Sequence, residues 1–155
     1  MPSWSIHRFY AEKFARERGI EYSCVGLIDR LVDDPGSTLP SVLEEVRRSS
    51  KLLALMLHDE TVRPEDPIAM HDWGAWRGFR ASVDALRRVA EAVAGRTGPL
   101  MVDLHLSLDY VWKWGLDNYA AWAEELGIAA EVRSYIVKEF ANRASQKTFG
   151  VERKP

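Results

Sequence analysis

Four histidines stand in settings that bear on chemistry: "SIHRF" at His7, "LHDE" at His58, "MHDW" at His71 and "LHLSLDY" at His105. Three of them have an aspartate adjacent or four positions on. Neutral imidazole and carboxylate are the nitrogen and oxygen donors that Zn²⁺, Mn²⁺, Fe²⁺ or Ni²⁺ accept, and an i,i+4 pair on a helix directs both groups into one cavity. His105 and Asp109 have that spacing. The chain has a single cysteine, Cys24, so no cysteine framework for a metal exists and any metal site must use His, Asp and Glu.

Each of these residues also has a structural reading. His7 lies at the edge of an apolar stripe near Trp4, Tyr10 and Phe14, where a histidine can simply pack and hydrogen-bond. His58 closes a helix, where the dipole favours a protonated imidazole, and Asp59 then follows as a solvated loop residue. Asp72 can cap the helix that follows it, although Ala75 in place of Glu or Gln leaves the capping box incomplete. Asp29 sits on the border of a buried face, and Asp33 one turn later is expected in solvent. Whether Asp29 and His58 join a site is open from the sequence. Asp103 suits a first helical turn, whereas Asp109 shares a face with His105 and is taken as the inward carboxylate. No nucleophile elbow, phosphate-binding loop or dinucleotide fingerprint occurs, and "GAWRGF" from Gly74 has no strand before it.

The elements that must carry these groups read as helices. At 155 residues the chain has the size of one domain with a substantial core. Its 46% hydrophobic and 28% charged residues and net charge of −2 are ordinary for a globular protein and argue against a broad nucleic-acid surface. Ser3 or Ser5 can cap a first helix with Ile6, Phe9, Tyr10 and Phe14 inward, ended by Gly19. A second helix spans roughly 21–33, and "DDPGSTLP" breaks the pattern. A third follows from about Pro40 with Val42, Val46, Leu53 and Met56 inward. The stretch 59–72, with Pro64 and Pro67, reads as a loop longer than the usual ~4–6 residues. A fourth helix runs from Trp73 to about Ala94 and a last one from Ala129 to about Ala144.

The stretch "GPLMVDLHLSLDYVWKWG" is the ambiguous one, since its apolar residues alternate from Val102 to Trp112 as in a strand. A lone strand among five helical segments has no pairing partner, and its unpaired backbone groups would be costly in a core. Thr97 or Gly98 at the cap and Pro99 in the first turn suit a helix, with Leu104, Leu108 and Val111 as its buried stripe. The expected fold is therefore all-α: a compact single-domain bundle of about five or six helices over 1–145, with a flexible C-terminal tail at 146–155. No stretch reaches the roughly 18 apolar residues of a membrane span, so no membrane association and a cytoplasmic location are expected.

A histidine on the first helix, a vicinal His-Asp pair and a distant aspartate together resemble the pattern of the HD superfamily of metal-dependent phosphohydrolases, an all-α family. The matching positions are His7, the pair His71 and Asp72, and Asp109. The resemblance implies a divalent metal ion (Zn, Mn, Fe, Ni or Mg) held by His7, His71, Asp72 and Asp109, with His105, and as an open alternative His58, as supporting or second-metal ligands. It also implies a small phosphorylated substrate, a phosphate ester or nucleotide, attacked by a metal-activated water. Asp72 would serve the reaction as well as the ion, and Arg77, the guanidinium near the pair in sequence, would orient the phosphate. A weaker likeness is to zinc-dependent phospholipase C, echoed by Trp4, His7, His105 and Asp109. The competing expectation is a non-catalytic interaction or oligomerisation module whose histidines and aspartates are structural. Trp73, Trp76, Trp112, Trp114 and Trp122 would then fill the core or line a homo-oligomer contact.

Overall fold

The computed structural model describes residues 2–21, 25–59 and 76–145. Among them there is no strand. Seven helices form a compact all-α bundle: α1 (Trp4–Arg18), α2 (Val25–Asp33), α3 (Glu44–His58), α4 (Arg80–Ala94), α5 (Gly98–Trp114), α6 (Tyr119–Leu126) and α7 (Ala130–Ser145). A single helical turn, Pro35–Thr38, lies between α2 and α3. No helix among the described residues is long and apolar enough to cross a membrane. The predicted 59–72 loop, with His71 and Asp72, falls almost wholly outside the described residues, as do Cys24, Trp73 and the 146–155 tail.

Helix α5 is the axis of the fold. Of its residues only Pro99, Leu100 and Lys113 are not buried, so it is enclosed on every side rather than along one stripe. That is the source of the strand-like alternation: a helix surrounded by neighbours needs no polar face, and any short period can be read from it. α4 packs along it antiparallel, and the approach is closest at Gly98, where a Cβ would collide with the backbone carbonyl of Ala90. Arg87 ties the two helices to the α6–α7 turn. Its Nε donates to Asp103 Oδ1 at 2.7 Å and its Nη2 to the Leu126 carbonyl at 2.8 Å, while the Ala129 amide donates to Asp103 Oδ2 at 2.9 Å. Asp103 is thus a buried structural carboxylate rather than a residue of the first helical turn.

Several expectations shift. α6 has no counterpart in the sequence reading, because its eight residues carry too few turns to show a period; Gly127 (φ 69°) ends it in a left-handed cap. The fourth helix is not continuous from Trp73: Trp76 and Arg77 are helical, Gly78 and Phe79 form a turn, and α4 starts at Arg80. Val42, expected inward, is 87% exposed on the short turn before α3, and Phe9 is half-exposed. Trp76 and Trp122 are fully buried, meeting edge to face at 6.1 Å, and Trp114 packs against Trp76. These tryptophans are core, as large aromatic surfaces favour.

Gly98→Ala is expected to destabilise the fold by about 1–3 kcal/mol through overpacking at the α4–α5 contact. Urea unfolding measures it; an unchanged midpoint would contradict the close approach.

Candidate metal centre

Four helices deliver polar groups to one point. His7 comes from α1, Asp29 and Asp33 from α2, His58 from the last position of α3, and His105 and Asp109 from α5. Asp29–Asp33 and His105–Asp109 have the same i,i+4 spacing, so the facing helices each offer a two-residue face.

The innermost atoms are Asp33 Oδ1, His58 Nε2, His105 Nε2 and Asp109 Oδ2. His58 Nε2 lies 3.1 Å from both carboxylate oxygens. His105 Nε2 lies 3.0 Å from Asp33 Oδ1 and 3.4 Å from Asp109 Oδ2. One ligand atom from each of the four residues falls within 4.8 Å of the others. A tetrahedral ion with ligand bonds of about 2.0–2.1 Å has ligand–ligand edges of about 3.3–3.4 Å. The four N···O separations fall close to that and the remaining two pairs lie within 4.8 Å, so the set could hold a divalent ion. Asp33 and His58 end α2 and α3, whose C-terminal carbonyls add partial negative charge that favours a cation.

The outward atoms of three of these groups are held by other residues. Trp4 Nε1 donates to Asp33 Oδ2 at 2.8 Å. His7 Nε2 donates to Asp109 Oδ1 at 3.1 Å. His105 Nδ1 donates to Asp29 Oδ1 at 2.7 Å, the carboxylate–imidazole arrangement that fixes the tautomer of metal-binding histidines. Lys113, one turn beyond Asp109, donates to the carbonyls of Met56 and Asp59 and so pins the end of α3 that carries His58. The inner pair is sealed, His105 and Asp109 having 2% and 0% side-chain exposure, whereas Asp33 and His58 form a rim at 19% and 20%.

His7, Asp29 and His105 form a second close group, but its geometry does not suit an ion. The His7 and His105 rings stack with centroids 3.8 Å apart and only 5° between their planes. Ring lone pairs lie in the ring plane, so two stacked rings aim theirs side by side, and a shared ion would sit well out of both planes. The cavity beside them, about 10 Å³, has room for no more than one water. His7 and Asp29 act here as supports for the inner four residues.

Without an ion, protons hold the cluster together. Burial opposes charge on the histidines, yet the carboxylates outweigh it for two of them: hydrogen bonds to Asp109 and Asp33 raise His58 to about 9. Asp109, Asp29 and Asp33 together raise His105 well above its ordinary value. Burial likewise opposes ionisation of Asp33 and Asp109, but the histidines, with Trp4 on Asp33, hold both below the usual carboxylate range. His7 is shifted the other way, lowered by burial and by the charge of His105; its Nδ1 is buried without a partner.

Of the sequence candidates, His7, His105 and Asp109 are brought together. His71 and Asp72 lie outside the described residues. Arg77 is exposed and donates from Nε and Nη2 to the two carboxylate oxygens of Glu125, at 2.8 and 2.9 Å, and is not part of the cluster. Of the other two inner residues, Asp33 was expected in solvent and His58 was left open by the sequence. The repeated i,i+4 spacing on α2 was the available signal for Asp33; for His58 it was the adjacent Asp59 and its place at a helix end. No family model matches the chain, and no curated protein or solved structure matches it.

The shifts set a pH profile for the metal-free protein. Raised histidines contribute fully below the unfolded value of 6.5, and the His58 contribution is lost as pH climbs through about 9. Lowered carboxylates contribute above their unfolded value of 3.8 and fail as pH falls below it, and neutral His7 loses its contribution below 6.5. The melting temperature should peak near pH 6.5 and drop more steeply on the alkaline side, where two histidines act against one. A flat profile from pH 6.5 to 9.5 would rule out the charged cluster.

Proposed function

We propose that the chain is a metal-dependent hydrolase whose divalent cation is held by Asp33, His58, His105 and Asp109, acting on a phosphate ester or nucleotide. The observation that carries the metal is the set of four mixed donors whose N···O separations are 3.0–3.4 Å. The phosphorylated substrate class comes from the resemblance of His7, His71, Asp72 and Asp109 to the HD pattern. A bound divalent ion supplies a water of lowered pKa and positive charge for phosphoryl oxygens. The protein supplies the rest. His105 and Asp109 anchor the site from the core, Trp4, His7 and Asp29 hold the outward atoms in place, and the rim at Asp33 and His58 is the side open to substrate. His71 and Asp72 would complete the site from the segment after α3.

Because two imidazolium protons and one divalent ion carry the same charge, exchange of one for the other leaves the cluster's charge unchanged. Ion binding is therefore accompanied by proton release, and affinity rises with pH while the raised His58, at about 9, and His105 still carry their protons.

A second reading rests on a different observation: the inner atoms are satisfied by hydrogen bonds among themselves. A closed His/Asp network of this kind can simply specify the packing of four helices. The protein is then a non-catalytic helical interaction module, for which half-exposed Leu52 and Leu55 on α3 offer apolar surface.

Elemental analysis of tag-free protein, reloaded separately with Zn²⁺, Mn²⁺, Fe²⁺ and Ni²⁺, is expected to give about one ion per chain. Asp109→Asn and His105→Gln should each lose it, with affinity falling by at least 100-fold, while Asp29→Asn should weaken it by about 10–100-fold. Calorimetry in buffers of different ionisation enthalpy should show between one and two protons released per ion at pH 7. Protein that resists loading with all four metals would remove the metal centre. Loaded protein inactive on phosphomonoesters, phosphodiesters and nucleotides would remove the hydrolase, and His71→Ala and Asp72→Ala test whether that pair belongs to the site.

A further inference from the structure

A second concavity shares no lining residue with the His/Asp cluster. It runs between the first turn of α6, at Tyr119 and Ala120, and one face of α7 formed by Ala130, Arg133, Ser134, Val137 and Lys138. Those α7 positions follow the three-four spacing of a single helix face. The groove has a volume of about 540 Å³, within the range of about 300–1,000 Å³ typical of small-molecule sites.

Arg133 is the unusual residue in it. Among the described residues four arginines are partly buried, and three have acceptors: Arg18 on the Glu131 carbonyl, Arg47 on Glu44 and Gly36, and Arg87 on Asp103 and Asp84. Arg133 is the fourth. Its Nε is shielded from water with no hydrogen-bond acceptor, and no ion pair engages its guanidinium among the described residues. The shielded Nε is closed to a groove ligand as it is to water, but the terminal nitrogens carry no ion pair among the described residues, and their planar fork suits a carboxylate or phosphate. Lys138 adds a second cation at the groove, its Nζ shared with Glu17 at 2.8 Å, and Ser134 adds an exposed hydroxyl. The remaining wall is apolar: Val137 is 50% exposed, and Ala120 and Ala130 are exposed beside it.

We propose that this groove binds an amphipathic organic anion, its carboxylate or phosphate head on Arg133 and its apolar body along Val137, Ala130 and Ala120. The cationic anchor and the apolar wall lie on one helix face, so a ligand with both characters pairs with the terminal nitrogens of Arg133 and covers Val137 at once. An inorganic anion would use only the first of these, and an uncharged lipid only the second.

The test uses the full chain and three probes below their micellar concentrations: decanoate, decyl phosphate and decanol. Calorimetry with amide chemical-shift mapping is expected to show saturable one-to-one binding of at least one anion, at the residues of α6 and α7 named above. Decanol should bind at least tenfold more weakly. The tighter of the two anions identifies the head group. Arg133→Gln should reduce anion affinity tenfold or more without altering metal content or the thermal melt. Val137→Glu, at an exposed position that does not endanger folding, should do the same by placing a carboxylate in the apolar wall. Absence of saturable anion binding, equal affinity for decanol, or unchanged affinity in either folded variant would overturn the proposal.

Discussion

Asp109 has no exposed surface, sits in the almost wholly buried helix α5, and is held ionised. A charge in that position is stable only if opposing charge and hydrogen bonds replace the lost water. Three histidines do so from three helices: His7 from α1, His58 from α3 and His105 from its own helix one turn earlier. Asp33 and Asp29 on α2 in turn balance His105. The packing of α1, α2, α3 and α5 against one another is thus coupled to a single buried carboxylate, and removing one partner leaves an atom of this network without its hydrogen bond.

The arrangement is layered by exposure. At the bottom, His105 and Asp109 are sealed in the core, where low effective dielectric strengthens their interaction. At the rim, Asp33 and His58 terminate their helices and remain partly in water. Around them Trp4, His7 and Asp29 each hold the atom that faces away from the centre, which leaves one inward-facing atom on each of the three groups they contact. Such restraint of the outward atoms pre-organises the cluster, since the inner atoms would not need to reorient to hold an ion.

The rest of the bundle keeps α5 in register with its neighbours. Gly98 admits α4 to close contact, the Arg87–Asp103 pair fastens both to the α6–α7 turn, and Lys113 draws the end of α3 onto α5. The aromatic cluster of Trp76, Tyr110, Trp114 and Trp122 fills the volume beyond the site and makes that framework stiff. The second, cationic groove lies on α7 and α6 and uses none of these residues.

Helix periodicity, the breaks at "DDPGSTLP" and "GRTGP" and the absence of any pairing partner for a strand were enough to establish an all-α chain. The i,i+4 spacing was enough to put His105 and Asp109 on one helix face, because that depends only on 3.6 residues per turn. α6 stayed hidden, its eight residues being too few to display a period. The membership of the site was not legible in the same way. His58 meets Asp109 across 51 residues and His7 meets it across 102, and such contacts depend on how four helices pack. Asp29 and Asp33 carry the same local pattern as His105 and Asp109, yet only the crossing of α2 with α5 turns those two faces toward each other. Local sequence determined which groups shared a helix face; tertiary packing decided which faces met, because convergence on one point is a property of several helices together and is written in none of them alone.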